Sequence, residues 1–377
     1  MQRPPAPTRA PLARPAPRGA PPRAARAMPP PRAAPAGVES LGALSPAVEA
    51  AIEAGLTNCL SDTDLDLGPR AVRHAGKVRD TYLLGGLAIL VTTDRLSAFD
   101  RALASIPFKG QVLNQTSAWW MHNTHDIVPN ALLATPDPCV SVMTRCDVVP
   151  IEFVVRGFMT GSTSTSLWTH YNNGERNYCG NAFPDGMTKN QRLERNVVTP
   201  TTKAADHDEP ISPKEIVARG LATQALWDAA SAAALALFAR GQAVALSRGL
   251  LLVDTKYEFG VDAEGGLRLI DEIHTPDSSR YWLADTYEDR VAAGLEPQSI
   301  DKEFVRLWFR ERCDPYADAV LPEAPAPLVA ELSRRYVTLY ERITGLPFVP
   351  ADGSVPAGQR MAANTRACLL ELGANLE

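Results

Sequence analysis

Val253-Asp254-Thr255-Lys256-Tyr257-Glu258-Phe259-Gly260 decides how this chain is read. Alternate residues of a strand share a face, so Asp254, Lys256 and Glu258 point the same way. Leu250 to Phe259 and Leu267 to Ile273 read as a hairpin turned through Asp262 to Gly266. The returning strand brings Asp271 and Glu272 back beside the charged row. Three charged groups in line are costly to bury without partners. Two readings stay open here: a solvated face of ion pairs, or a site for a ligand or metal. Oxygen ligands from both strands suit Mg²⁺, which works with substrate phosphates.

Outward from this hairpin, three further clusters carry chemistry. Thr275-Pro276-Asp277-Ser278-Ser279-Arg280-Tyr281-Trp282 follows directly. Arg280 offers a planar fork to a phosphate or carboxylate, or a structural pair to Asp277. Arg156-Gly157-Phe158-Met159-Thr160-Gly161-Ser162-Thr163 allows close backbone approach at its glycines, with Arg156 and Ser162 as a phosphate grip. Gly76-Lys77-Val78-Arg79-Asp80 opens a second hairpin that turns at Gly85-Gly86, and Thr93 to Asp100 follows it. A ribbon placing Lys77 and Arg79 on one face resembles the nucleotide cover of kinase-like and ATP-grasp-like enzymes. Neither a Walker loop nor G-x-G-x-x-G is present.

The remaining pattern is mixed. Helices are expected over Leu41–Leu56, Gly110–His122, Asp301–Arg312 and Ala326–Thr344, with a β-run at Val148–Val155. Gly157 to Pro213 is loop-rich, which is uncommon inside a domain unless it carries function. Ser212-Pro213 marks a helix start, and an Ala/Leu-rich soluble helix spans Leu221 to Leu246. After Pro347 the composition turns small and polar, and a poorly ordered tail is expected.

Composition bounds the class. The chain has 377 residues, 45% hydrophobic and 21% charged, which predicts about two domains with a core of useful size. Residues 1–38 hold seven arginines, many prolines and no acid, which predicts a disordered organellar transit peptide, plastid rather than mitochondrial, the alternative being a disordered tail that binds something acidic. Without those arginines the formal charge falls from −5 to −12, which argues against a nucleic-acid partner. The six cysteines form no C-x-x-C pair and the six histidines no metal-ligand spacing. Reduced thiols and no membrane span are expected.

In order along the chain stand GKVRD, TDRLSAFD, FKGQVLN, PIEFVVRGFMTGS, TPTTKAADHDEPIS, VDTKYEFG, IDEIHTPDSSRYW and DKEFVRLW. This series closely resembles the succinocarboxamide synthase family of the purine pathway, in its plant-like form, from about Gly68 to Pro347. The resemblance implies an α+β fold: an antiparallel nucleotide-binding sheet domain over 39–150, a larger α+β domain over 151–347 closed by C-terminal helices, and a tail at 348–377. It implies a carbon–nitrogen ligase that uses ATP, Mg²⁺, aspartate and carboxyaminoimidazole ribotide, as a monomer in the chloroplast stroma. Carried over by position, Lys77, Arg79, Ser97 and Lys109 surround the ATP phosphates, and Glu258 and Asp271 hold the metal. Arg156, Ser162 and Arg280 hold the ribotide, with Asp254 and Lys256 beside them as catalytic residues. Lys203, Asp208, Ser299, Asp301 and Lys302 fall on the aspartate side.

The chemistry agrees with that set. A carboxylate becomes an amide only after one oxygen is made a leaving group, which ATP supplies by phosphorylation. Such a reaction needs positioning and charge neutralisation more than a nucleophilic side chain. An ATP-dependent phosphotransferase would need H-R-D and D-F-G motifs, which are absent. A non-catalytic nucleotide-binding relative should have lost a phosphate cation or metal carboxylate, and all are retained.

Overall fold

The computed structural model describes residues 43–99, 101–203, 209–300 and 302–376. Its first sheet is antiparallel, in the order β1 (Val72–Ala75), β2 (Arg79–Leu84), β3 (Leu87–Thr92), β7 (Val140–Thr144) and β6 (Leu132–Asp137). The β2–β3 hairpin closes Leu84 onto Leu87 through two glycines, Gly85 adopting a φ of 56° that a branched residue would resist. A separate ribbon, β4 (Arg95–Ala98) with β5 (Arg101–Ser105), leads into helix α2 (Lys109–Thr124); helix α1 (Pro46–Gly55) precedes them all.

The second sheet is built on β14 (Leu250–Val261). It pairs antiparallel with β8 (Asp147–Val148), β9 (Ile151–Phe158), β15 (Leu267–Ile270) and β16 (Ser279–Leu283). Strands β12 (Arg192–Val198) and β13 (Thr201–Thr202) extend it beyond β9. The loop-rich stretch between adds helix α3 (Leu167–Asn172) and the small ribbon β10 (Asn177–Tyr178) with β11 (Asn181–Ala182). The two sheets belong to one compact unit spanning 38–377. A main-chain bond from Leu269 to the Pro129 carbonyl joins β15 to the loop before β6.

Ser212 starts α4 (Pro213–Ala218) with a capping box to Glu215, the bond pattern its sequence calls for. Thr223 caps α5 (Gln224–Ser247), whose Trp227, Ala230, Ala234, Leu237, Phe238, Gly241 and Ala245 are buried; the helix packs on β14, β9 and β12. By length and composition α5 could cross a membrane, but its apolar stripe is the main core against the sheet. Helices α6 (Ala284–Ala292), α7 (Glu303–Arg310) and α8 (Ala326–Thr344) follow, α8 packing on α1 and α2. All six cysteines are free.

Residues beyond Pro347 correct the expectation of a poorly ordered tail. Ala357–Glu371 form helix α9, which packs on β6. Its Met361 and Leu369 are fully buried with Tyr82, Ile89 and Val91 of the first sheet. The small residues that looked like tail composition let the helix lie close to the strands. The leader at 1–38 lies outside the described residues.

Candidate active site

β14 runs between β9 and β16 with Asp254 opposite Arg156 on one side and Arg280 on the other. Period-2 alternation therefore places Asp254, Lys256 and Glu258 on one face, in line with Arg156, Val154 and Glu152 of β9. The opposite face, with Tyr257 and Phe259, faces the core.

At the Glu258 end, Lys256 Nζ pairs with Glu258, lies 3.1 Å from Glu152 and 3.9 Å from Asp271. Lys203 pairs with the other oxygen of Glu258. Arg79 arrives from β2, pairs with Asp271 and reaches Glu272 at 2.6 Å. Burial works against the charge on Lys256, but Glu258, Asp271 and Glu152 outweigh it and hold the ammonium protonated far above the usual lysine range. Burial likewise opposes charge at Arg79 and Asp271, and their mutual attraction prevails, keeping the carboxyl below its ordinary value. Three cations thus face four carboxylates here, a net negative site.

The Asp254 end has the opposite sign. Asp254 pairs with Arg280 and lies 3.8 Å from Arg156, which donates through Nε to Thr199 at 2.8 Å. Ser162 donates to Glu303 at 3.1 Å, Arg306 pairs with Glu303 at 3.1 Å, and Arg310 donates to the Ser162 carbonyl. Four guanidinium groups gather around two carboxylates. That excess, presented as planar forks, suits a phosphate.

Between these ends stands a third node. Asp277 accepts from Tyr336 at 2.7 Å, lies 2.9 Å from Lys109 Nζ and 3.3 Å from Lys302 Nζ. Burial alone would raise its carboxyl, but the two lysines hold it far below the ordinary range. Lys302 is pushed down by burial and by Arg306 and Lys109, with Asp277 offsetting part of this.

Of the residues expected at the site, Arg79, Lys203, Lys256, Glu258 and Asp271 meet in one cluster and Arg156, Ser162, Asp254 and Arg280 flank the other. Lys109 is fully buried on Asp277, where its charge must find a carboxylate. Lys77 is exposed at the start of the first hairpin, and Ser97 sits on β4 opposite Ala102. The Ser299 carbonyl accepts from Arg335 at 3.3 Å. Asp208 and Asp301 lie outside the described residues. Sequence reading passed over Glu152, Glu303 and Tyr336; Glu152 was findable, because it stands four residues before Arg156 on the same strand face. Among the described residues no three His, Cys, Asp or Glu side chains are placed to hold one metal ion between them. A cavity of about 620 Å³ lined by Asp94, Phe108, Gln111 and Arg360 lies elsewhere and none of these clustered charges lines it.

Residues 72–322 match the family model for SAICAR synthetase. A chloroplastic phosphoribosylaminoimidazole-succinocarboxamide synthase of Arabidopsis thaliana is 59% identical over 323 residues, covering 85% of this chain and 79% of the relative. The synthase of Legionella pneumophila (strain Lens) is 59% identical over 306 residues, 81% of this chain and 97% of that one. In structure the chain is similar to SAICAR-synthase from Saccharomyces cerevisiae complexed with SAICAR, with a TM-score of 0.65 and 28% identity over 77% of this chain and 99% of that one. The chain belongs to the SAICAR synthetase family, the ligases that carry out the aspartate condensation of purine biosynthesis.

Proposed function

We propose that the two ends of the charged row on β14 divide the substrates, with the nucleotide at Glu258 and the ribotide at Asp254. The reaction joins L-aspartate to 5-amino-1-(5-phospho-D-ribosyl)imidazole-4-carboxylate and converts ATP to ADP and phosphate. The reversal of charge along one strand, over roughly 13 Å, is the observation that carries the division. The guanidinium forks of Arg156 and Arg280, with Ser162, take the ribotide phosphate. Lys77, Arg79, Ser97 and Lys109 belong to the ATP side; Lys109 reaches a phosphate only by leaving Asp277. Lys203, Asp208, Ser299, Asp301 and Lys302 form the aspartate side.

Glu258 and Asp271 flank Lys256 Nζ, and their carboxylates are the oxygen ligands that would hold Mg²⁺ on exchanging the ammonium for the ion. Bound there, Mg²⁺ would neutralise charge on the phosphoryl group being transferred. Lys256, paired with Glu258 and 3.1 Å from Glu152, serves as a cation beside the reacting carboxylate. Asp254 orients the two arginines that flank it.

An oxygen of the imidazole carboxylate attacks the γ-phosphorus, ADP departs, and an acyl phosphate remains. The aspartate amine then attacks the carbonyl carbon, loses a proton, and expels phosphate as the C–O bond breaks. Ribotide labelled with ¹⁸O in its carboxylate should pass one label to phosphate in each turnover. Positional isotope exchange in ATP without aspartate supports this order; label-free phosphate overturns the route.

A monomer is the proposed working unit. The acid-free leader at 1–38 and the chloroplastic plant relatives support a plastid location, in the stroma.

A further inference from the structure

Asp271 and Glu272 stand at the head of a turn, residues 271–278, that links β15 to β16. Two residues of this turn with full side chains, Asp271 at φ 61° and His274 at φ 53°, occupy the left-handed region. Such conformations are disfavoured for L-residues and persist only where the surroundings over-determine them. The lower half of the turn is tied by its own threonine: Thr275 Oγ1 donates to Glu272 and accepts from the amides of Asp277 and Ser278. Arg79 holds the carboxylates of Asp271 and Glu272, the Ser117 hydroxyl accepts from the Ile273 amide, and His274 anchors the turn in the core beneath them.

His274 is fully buried and edge-on to Trp120, with ring centroids 4.5 Å apart. Its Nε2 lies 2.5 Å from the Tyr257 hydroxyl, and its carbonyl accepts from the Tyr281 hydroxyl at 2.8 Å. Tyr257 sits on β14 between Lys256 and Glu258, on the core face of the strand whose other face carries the charged row. The strand that presents Glu258 therefore also grips the turn that presents Asp271. Space for the imidazole comes from Gly241, in the interior of α5. A methyl group at Gly241 would stand 2.5 Å from His274 Cε1 and 2.6 Å from Leu252 Cδ2. A glycine inside a long helix is otherwise unfavourable relative to alanine, and room for this ring accounts for it.

We propose that His274 is a positioning residue: clamped by Tyr257, Tyr281 and the gap at Gly241, it fixes the strained turn so that Asp271 and Glu272 meet Glu258 at the nucleotide. The assignment of those carboxylates to the nucleotide rests on the function proposed above; the clamp itself does not.

Two variants test it without touching a charged group. Tyr257→Phe removes one hydroxyl from a buried hydrogen bond. Amide exchange over 271–278, measured by mass spectrometry on the ligand-free protein, should quicken by about tenfold. kcat should fall by a similar factor, with the apparent KM for ribotide unchanged within about twofold and that for ATP raised. Gly241→Ala improves helix propensity yet displaces the ring, so it should produce the same split between ATP and ribotide. Exchange and kcat that stay at parental values in both variants overturn the clamp. Uniform loss of kcat and of both affinities, with exchange quickened across the whole chain, also overturns it, by showing a merely structural role. Exchange confined to the turn but with ribotide KM raised in place of ATP keeps the clamp and sinks the nucleotide assignment.

Discussion

Asp277→Asn removes the single carboxylate that Lys109 and Lys302 share. The side chains of Lys109, Asp277 and Lys302 are 0%, 5% and 12% exposed, so water cannot replace the lost partner. Breaking a buried pair from one side leaves an uncompensated charge and costs about 3–5 kcal/mol. The upper half of that range is expected, because two ammonium groups lose the same partner and Tyr336 loses an ionised acceptor. The folded Asp277 carboxyl titrates below the unfolded one, so over that interval the folded state binds fewer protons. Its stabilising contribution is therefore complete above about pH 4 and declines as the solution is acidified below that. Urea unfolding of parent and variant, extrapolated to water between pH 3 and 9, should show the gap full at neutral pH and shrinking below about pH 4. Toward the alkaline end of that range the variant should begin to recover stability, because Lys302, already depressed by burial, would shed its proton in the folded state first. A gap under about 1 kcal/mol at neutral pH would show that the node is wet and refute the reasoning.

Asp271→Asn keeps shape and removes charge where the phosphoryl group is proposed to sit, so turnover should fall roughly 10²- to 10⁴-fold with the fold intact; near-parental turnover at limiting Mg²⁺ would take Asp271 out of the proposed site. Arg280→Lys keeps the charge and loses the fork that meets Asp254, which should weaken ribotide affinity by about 1.5–3 kcal/mol and leave ATP nearly unaffected in isothermal titration. Deleting residues 1–38 should change neither melting temperature nor kcat, and the same segment fused to a fluorescent protein should enter plastids; a fusion retained in the cytosol argues against a transit role.

What could be read from the chain was whatever the backbone repeats locally. The alternation in Val253–Gly260 placed Asp254, Lys256 and Glu258 on one face, and the structure keeps them there. Ser212-Pro213 with Glu215 announced its helix, and Gly85-Gly86 its hairpin. The ion pairs were a different matter. Lys109 opens α2 and Asp277 lies in the turn before β16, far along the chain, and nothing local to either residue names the other. Asp271 was read as strand, whereas β15 stops at Ile270 and Asp271 turns with positive φ; periodicity cannot see a strand ending on a carboxylate. The segment after Pro347 misled for a related reason. Alanine, asparagine and glycine read as slack until the sheet they lie against is known.

That last helix has a consequence for how the molecule comes into being. The back of the first sheet is covered by α9, made long after it, and Arg70 bonds the Asn375 carbonyl across 305 residues. At ribosomal speeds of about 5–20 residues per second, Tyr82, Ile89 and Val91 wait on the order of 15 to 60 s for Met361 and Leu369. Throughout that delay the nascent sheet shows an apolar flank to its surroundings. A chain cut before α9 would never close it, and should behave in the cell as a chaperone client rather than as a shortened enzyme.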